Sequence, residues 1–234
     1  VNRLVHIGWR AAIAISALWV IYFAIQQGIA SLYALAAEKE LLAWERSPAT
    51  LASVDDAHKA IQRAIEHNPS HPQYYFLQGR VWQWQAYLSS ENEVGEMLER
   101  AKRAYLTSVE LRPTWPDSWA ELLKIEAQQH DKEAQEQVPH QALSEYLAKA
   151  AQYGPYTPAV NIAISQVGLA KWKYWSREQK WLVIEHLARG LNGKNSRHLL
   201  ADYLKSTHQF KLACTLASRR EPKLEISICT SVLK

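Results

Sequence analysis

Hydrophobic positions at the start of the chain follow no periodicity, because almost every position is apolar. From Ala11 to Ala37 there is no charge, and only Ser16, Gln26, Gln27, Gly28 and Ser31 fall outside the hydrophobic set. The densest part, Ala11 to Ile25, is interrupted only at Ser16. A helix rises about 1.5 Å per residue, so roughly 20 apolar residues cross a hydrocarbon layer of about 30 Å. A stretch that is apolar on all faces predicts a single transmembrane helix over 11–37 rather than a core helix. Trp9 and Tyr33 lie near its ends, where amphipathic rings favour the lipid–water interface. Arg3 and Arg10 precede it with no acid among the first ten residues, and Glu38, Lys39 and Glu40 follow. The positive-inside rule then predicts residues 1–10 in the cytoplasm and everything beyond the span exported. A cleaved signal peptide competes with this reading, because Ala34-Leu35-Ala36 has the small-residue form of a cleavage site. That site lies well beyond Ile25, which favours an uncleaved anchor.

Beyond residue 38 the pattern changes. Apolar residues recur at helical spacing and no segment sustains a two-residue alternation, so the expectation is all-α. Three junctions punctuate the helices: Asn68-Pro69-Ser70-His71-Pro72, Arg112-Pro113-Thr114-Trp115-Pro116 and Gly154-Pro155-Tyr156-Thr157-Pro158. A fourth, Gly193-Lys194-Asn195-Ser196-Arg197, has lost both prolines. A first proline stops the preceding helix, and a second fits the first turn of the next. Thr157 and Ser196 stand where an N-cap is wanted, and Ser90-Glu91-Asn92-Glu93 reads as a capping box. Expected helices cover roughly 11–45, 51–67, 72–88, 92–111, 117–130, 139–152, 158–173, 177–190, 197–206 and 209–218.

The junctions recur at a period near 40 residues, which points to stacked helical hairpins. Ala64, Ser108 and Ala150 each stand five residues before the first proline, and Ala57, Ala101 and Leu143 twelve before it. Tyr75 and Trp119 stand six residues after it, with Gly79 and Leu123 four further on. This pattern resembles the tetratricopeptide repeat, best from Tyr75 and Gly79 through Ala101 and Ser108 to Pro113. It departs by an insertion around Tyr87 to Gly95, and by Asn161 where the third copy should carry an aromatic residue. The resemblance implies an α-solenoid of tetratricopeptide-like hairpins over 38–220, followed by a tail at 221–234. It also implies a concave face from the first helix of each hairpin. That geometry would place Gln73, Phe76, Arg80 and Gln83 on one stripe, beside Asp117, Ala120 and Lys124, as a groove for a protein partner or a glycan.

Composition narrows the chemistry. The formal charge is +4, from 27 basic and 23 acidic residues, without a basic stripe to track a polyanion; no nucleic acid is expected. Nine histidines show no metal-ligand spacing, and Pro69 breaks the helix that would align His67 with His71. There is no phosphate loop and no nucleophile elbow, and Asp55-Asp56 is explained by the helix start it occupies. No enzyme activity, metal or cofactor is expected. Cys214 and Cys229 can bridge outside the cytoplasm or remain buried thiols. Ten Trp and eleven Tyr against three Phe read chiefly as inter-helix packing for residues such as Trp82, Trp84, Trp172, Trp175 and Trp181. Sugar stacking in a groove is the functional alternative.

The order of features is also similar to one bacterial family. Asn2-Arg3-Leu4-Val5-His6 and Gly8-Trp9-Arg10 lead into one span. His71-Pro72, Leu111-Arg112-Pro113-Thr114-Trp115-Pro116-Asp117 and Tyr153-Gly154-Pro155-Tyr156-Thr157-Pro158-Ala159-Val160 follow. Together these resemble the VpsP-type exopolysaccharide-biosynthesis proteins. The resemblance implies a single-pass inner-membrane accessory protein with a periplasmic helical domain. Its partners would be inner-membrane polysaccharide synthesis and export proteins, and it carries over no catalytic residue.

Overall fold

The computed structural model describes residues 2–132, 141–220 and 226–230, without the side chains of 2–5 and 130–132. Among them are ten α-helices and no strand: α1 (Asn2–Trp44), α2 (Leu51–His67), α3 (Pro72–Leu88), α4 (Glu91–Leu111), α5 (Pro116–Lys132), α6 (Gln141–Tyr153), α7 (Pro158–Ala170), α8 (Arg177–Asn192), α9 (Arg197–Ser206) and α10 (Phe210–Ala217). Short 3-10 turns stand at Trp172–Tyr174 and Ser227–Cys229. The expected start of α6 near 139 and the start of the expected tail at 221 fall outside the described residues. The chain forms two compact units, Val1–Leu111 and Arg112–Lys234.

In the first unit α1 packs on α2 and α3 on α4. α1 is one continuous helix with two different halves. Every residue from His6 to Ile25 is exposed, and His6–Trp44 is long and apolar enough to cross a membrane. From Ala30 onward a stripe is buried: Ala30, Ala34, Ala37, Leu41 and Trp44. Their steps of four and three residues keep one helical face turned inward. The facing stripe on α2 is Val54, Ala57, Ile61 and Ala64, and both belong to one core with Tyr74, Leu77 and Val81 of α3. The stretch read as a span over 11–37 therefore divides. Its first part faces outward on all sides, and its second part is a wall of the helical core.

Local chemistry starts and stops these helices. Thr50 Oγ1 accepts the Ser53 N–H while Ser53 Oγ accepts the Thr50 N–H, a reciprocal cap on α2. Ser176 and Gln179 cap α8 in the same way. At α4 the Ser90 N–H and hydroxyl both donate to the Glu93 carboxylate, so only one arm of the expected box forms. Thr157 and Ser196 stand at the N-cap positions but make no side-chain cap. Pro158 supplies the first turn of α7, and the Ser196 hydroxyl donates instead to the Gly190 carbonyl at 2.8 Å.

Corresponding junction positions share surroundings. Ala64, Ser108 and Ala150 are each fully buried, and Ala57, Ala101 and Leu143 nearly so. Tyr75 Oη donates to the Pro69 carbonyl at 2.8 Å, and Trp119 Nε1 donates to the Pro113 carbonyl at 2.7 Å. The aromatic six residues after the first proline thus donates to that proline's own carbonyl, in the turn between the two helices. At the third junction that aromatic is replaced by Asn161, and Arg189 of α8 donates to the Pro155 carbonyl at 3.1 Å instead.

In the second unit α5 packs on α6 and on α7, and α7 on α8. The C-terminal core gathers Leu187, Leu191, Leu200, Leu204, Ala213, Leu216 and Ile226 around the bonded cysteines Cys214 and Cys229. Gly168 and Gly190 permit close helix approach. An added Cβ at the first would lie 2.5 Å from Val183, and at the second 2.7 Å from Leu200.

Candidate functional site

A cavity of about 490 Å³ opens in the first unit, where the end of α1 and the following loop face the C-terminal half of α3. Trp44, Trp84 and Tyr87 supply aromatic walls, Pro48, Ala49 and Leu88 fill between them, and Arg80 and Gln83 bring polar groups. Helical geometry accounts for the α3 contribution, since residues 80, 83, 84 and 87 fall on one face. Trp84 meets Trp44 edge-on at 5.6 Å between ring centroids and Tyr87 edge-on at 5.9 Å. Trp44 is buried and fixed by its Nε1–H, which donates to Ser53 Oγ at 3.1 Å. Tyr87, by contrast, is 79% exposed and projects at the rim. Arg80 has a loose carboxylate neighbour, Glu45, at 3.9 Å.

Of the residues expected to share a groove, Arg80 and Gln83 line this cavity together. Gln83 Oε1 also accepts the Tyr105 hydroxyl at 2.7 Å, which fixes the amide. Gln73 and Phe76 lie one to two turns away on α3, and Phe76 packs against Tyr105 with ring centroids 5.7 Å apart. Lys124 stands on α5 of the second unit, where its ammonium donates to Glu121 at 2.7 Å. Asp117 there accepts the Trp115 indole N–H at 3.2 Å, and burial pushes its carboxyl above the ordinary range. Trp44, Pro48, Ala49, Tyr87 and Leu88 complete the lining, and none of them is among the residues expected on the stripe from the repeat pattern. The spacing of Trp44 after Leu41 would have marked it as an inward residue.

His58 Nε2–H donates to Gln85 at 2.7 Å and lies 4.0 Å from the Trp82 ring. Burial lowers its pKa. Trp82 carries Arg100 on its other contact at 4.8 Å, and Trp175 is buried with its N–H on the Gly168 carbonyl. Trp172 packs on the C-terminal core, while Trp181 is 46% exposed. No group of three or more His, Cys, Asp or Glu among the described residues is placed to hold a metal ion. Cys214 and Cys229 form a disulfide with Cα atoms 5.5 Å apart.

The cavity can stack the apolar face of a ring on its aromatic walls and offer a guanidinium and an amide to hydroxyl or carboxylate groups. No protein-family model matches the chain, and a search of curated proteins finds no match either.

Proposed function

We propose that this chain is a non-enzymatic docking protein of bacterial exopolysaccharide assembly and export. In this reading residues 6–25 anchor it in the inner membrane, and tetratricopeptide-like hairpins hold its protein partners on the periplasmic side. The observation that carries the anchored part is the continuity of α1. Its exposed apolar half runs without a break into a half built into the domain core. Signal cleavage after Ala36 would remove Ala30 and Ala34 from that core, which argues for retention of the helix. The matching burial and carbonyl bonding at successive junctions support the repeat reading. Association with polysaccharide rests on the VpsP-type resemblance.

Crosslinking in intact membranes tests it. The expected result is capture of inner-membrane polysaccharide synthesis or export proteins, with loss of exported polymer on deletion. Turnover of the polymer by the purified protein would refute a non-enzymatic role. A C-terminal alkaline-phosphatase fusion should be active, and an inactive one reverses the topology.

The cavity favours a second reading, direct glycan binding. Intrinsic Trp fluorescence would then shift saturably with purified exopolysaccharide, and Tyr87→Ala would abolish the shift. No shift with polymer leaves protein docking as the better account.

A further inference from the structure

The exposed apolar half of α1 ends at a sharp chemical boundary. Residues 6–25 are 20 residues, exposed throughout, and at 1.5 Å each they measure about 30 Å, the thickness of a hydrocarbon layer, with Arg10 one turn inside the far end, where its long side chain reaches back to the interface. The next two side chains, Gln26 and Gln27, are both hydrogen-bonded across to the end of α2. His67 Nδ1–H donates to Gln26 Oε1, and Asn68 Nδ2 donates to Gln27 Oε1. One turn further, the Ser31 and Tyr74 hydroxyls share a bond at 3.3 Å. Arg63 Nη1 then donates to Tyr33 Oη at 3.1 Å, and the Tyr33 ring stacks on His67. These bonds put the end of α2, the first proline junction and the start of α3 level with residues 26–33. At 1.5 Å per residue, that collar is about 10 Å tall. The polar layer on each side of the hydrocarbon is roughly 5–8 Å thick.

The residues gathered at this level suit such a layer. Tyr33 and Tyr75 are half-buried beside the junction, while Tyr74 lies buried beneath them with His71 stacked on it at 4.3 Å. Rings with one polar end concentrate at membrane interfaces. Arg63 is exposed beside them and can donate to phosphate oxygens. Glu66, Arg63, His67 and His71 together give the collar no strong excess of one charge.

We propose that this collar is a membrane-contact surface. It seats the junction 67–72 with Tyr33 and Tyr75 in the phospholipid headgroup layer, so the first unit stands against the bilayer in one orientation. The hydrogen bonds that His67 and Asn68 donate to Gln26 and Gln27 hold it at that depth. The inference rests on the anchor reading of residues 6–25. Because the collar is of mixed charge, the contact forms on zwitterionic lipid and needs no anionic lipid.

The test uses the full chain in phosphatidylcholine vesicles that carry a nitroxide on the headgroup. A fluorophore is placed at Ser70→Cys or, separately, at Ser47→Cys, with the native cysteines kept in their disulfide. Ser70 lies at the collar, whereas Ser47 follows the far end of α1, about 25 Å along the helix at 1.5 Å per residue. Quenching several-fold stronger at 70 than at 47 is the expected result. Equal or reversed quenching in chains that co-float with the vesicles would overturn the contact surface and leave the anchor standing. Chains that fail to co-float would overturn the anchor and the surface together.

Discussion

Gly79 is a position where one methyl group decides the packing. A Cβ there would lie 2.6 Å from Cε1 and Cζ of Tyr105, closer than carbon atoms approach. The ring cannot swing aside freely, because Tyr105 is fully buried, packs on Phe76 and donates to Gln83. Gly79→Ala should therefore cost about 1–3 kcal/mol, the usual range for overpacking a core. In a chemical-denaturation double-mutant cycle, Tyr105→Leu should recover part of that loss. Additive losses would show that the two residues do not meet. His186 makes a second prediction at the same scale. It is buried, its Nδ1–H donates to Asn161 Oδ1 at 2.7 Å, and burial, then nearby Arg189, push its pKa down from 6.5 to about 4. Between those values the unfolded chain binds a proton that the folded chain does not, so stability must fall as pH falls. The slope is about 1.4 kcal/mol per pH unit, beginning near 6.5 and levelling near 4. Thermal melts at pH 7.5 and 5 should show that loss in the native protein and a smaller one in His186→Gln. Parallel losses in both would assign the acid sensitivity to other groups.

Elements were legible wherever a local signal sets their ends. The proline junctions placed α3, α5 and α7 to within a residue at their starts, because ring closure and a missing N–H act on the backbone regardless of what packs nearby. Side-chain caps were less legible. The Ser196 hydroxyl donates to the Gly190 carbonyl, and its oxygen accepts no N–H from the start of α9. The division of α1 was hidden for a different reason. The buried stripe Ala30-Ala34-Ala37-Leu41-Trp44 has helical spacing, but its first members sit among other apolar residues, so composition masked the period. The cavity was legible only in part. Helical spacing brought Arg80 and Gln83 together, but spacing along α3 could not show that Phe76 turns toward Tyr105 or that Trp44 closes the cavity. At the C-terminal end, the 3-10 turn Ser227–Cys229 has too few residues to persist alone, and the Cys214–Cys229 bond ties it to α10. Closing a loop of about 15 residues contributes about 3 kcal/mol. Replacing both cysteines by alanine should lower the stability of the second unit by that order and speed amide exchange at residues 226–230. Unchanged exchange there would mean that Ile226 packing suffices.

On the scale of the whole chain, α1 serves two demands that can be separated by cutting it. Residues 6–25 bury nothing within the protein, so folding of the first unit should not need them. Residues 30–44 contribute five side chains to its core. A chain beginning at residue 26 should lose co-flotation with vesicles yet keep its helical circular dichroism and its melting transition. A chain beginning at residue 45 should behave differently. Val54, Ala57, Ile61 and Ala64 would lose their facing stripe, and the cavity would lose Trp44. Filling neither gap costs several kcal/mol, since each large-to-small loss in a core costs about 2–5 kcal/mol. The first unit should then unfold or aggregate. The second unit has its own core around Leu187, Leu200 and Cys214 and should keep slow amide exchange there. Equal melting of the 26-start and 45-start chains would mean that the buried stripe of α1 adds little. Loss of structure in the 26-start chain would mean that the exposed half is needed for folding, not only for anchoring. The contrast between these two cuts separates a tether from a structural element within one helix.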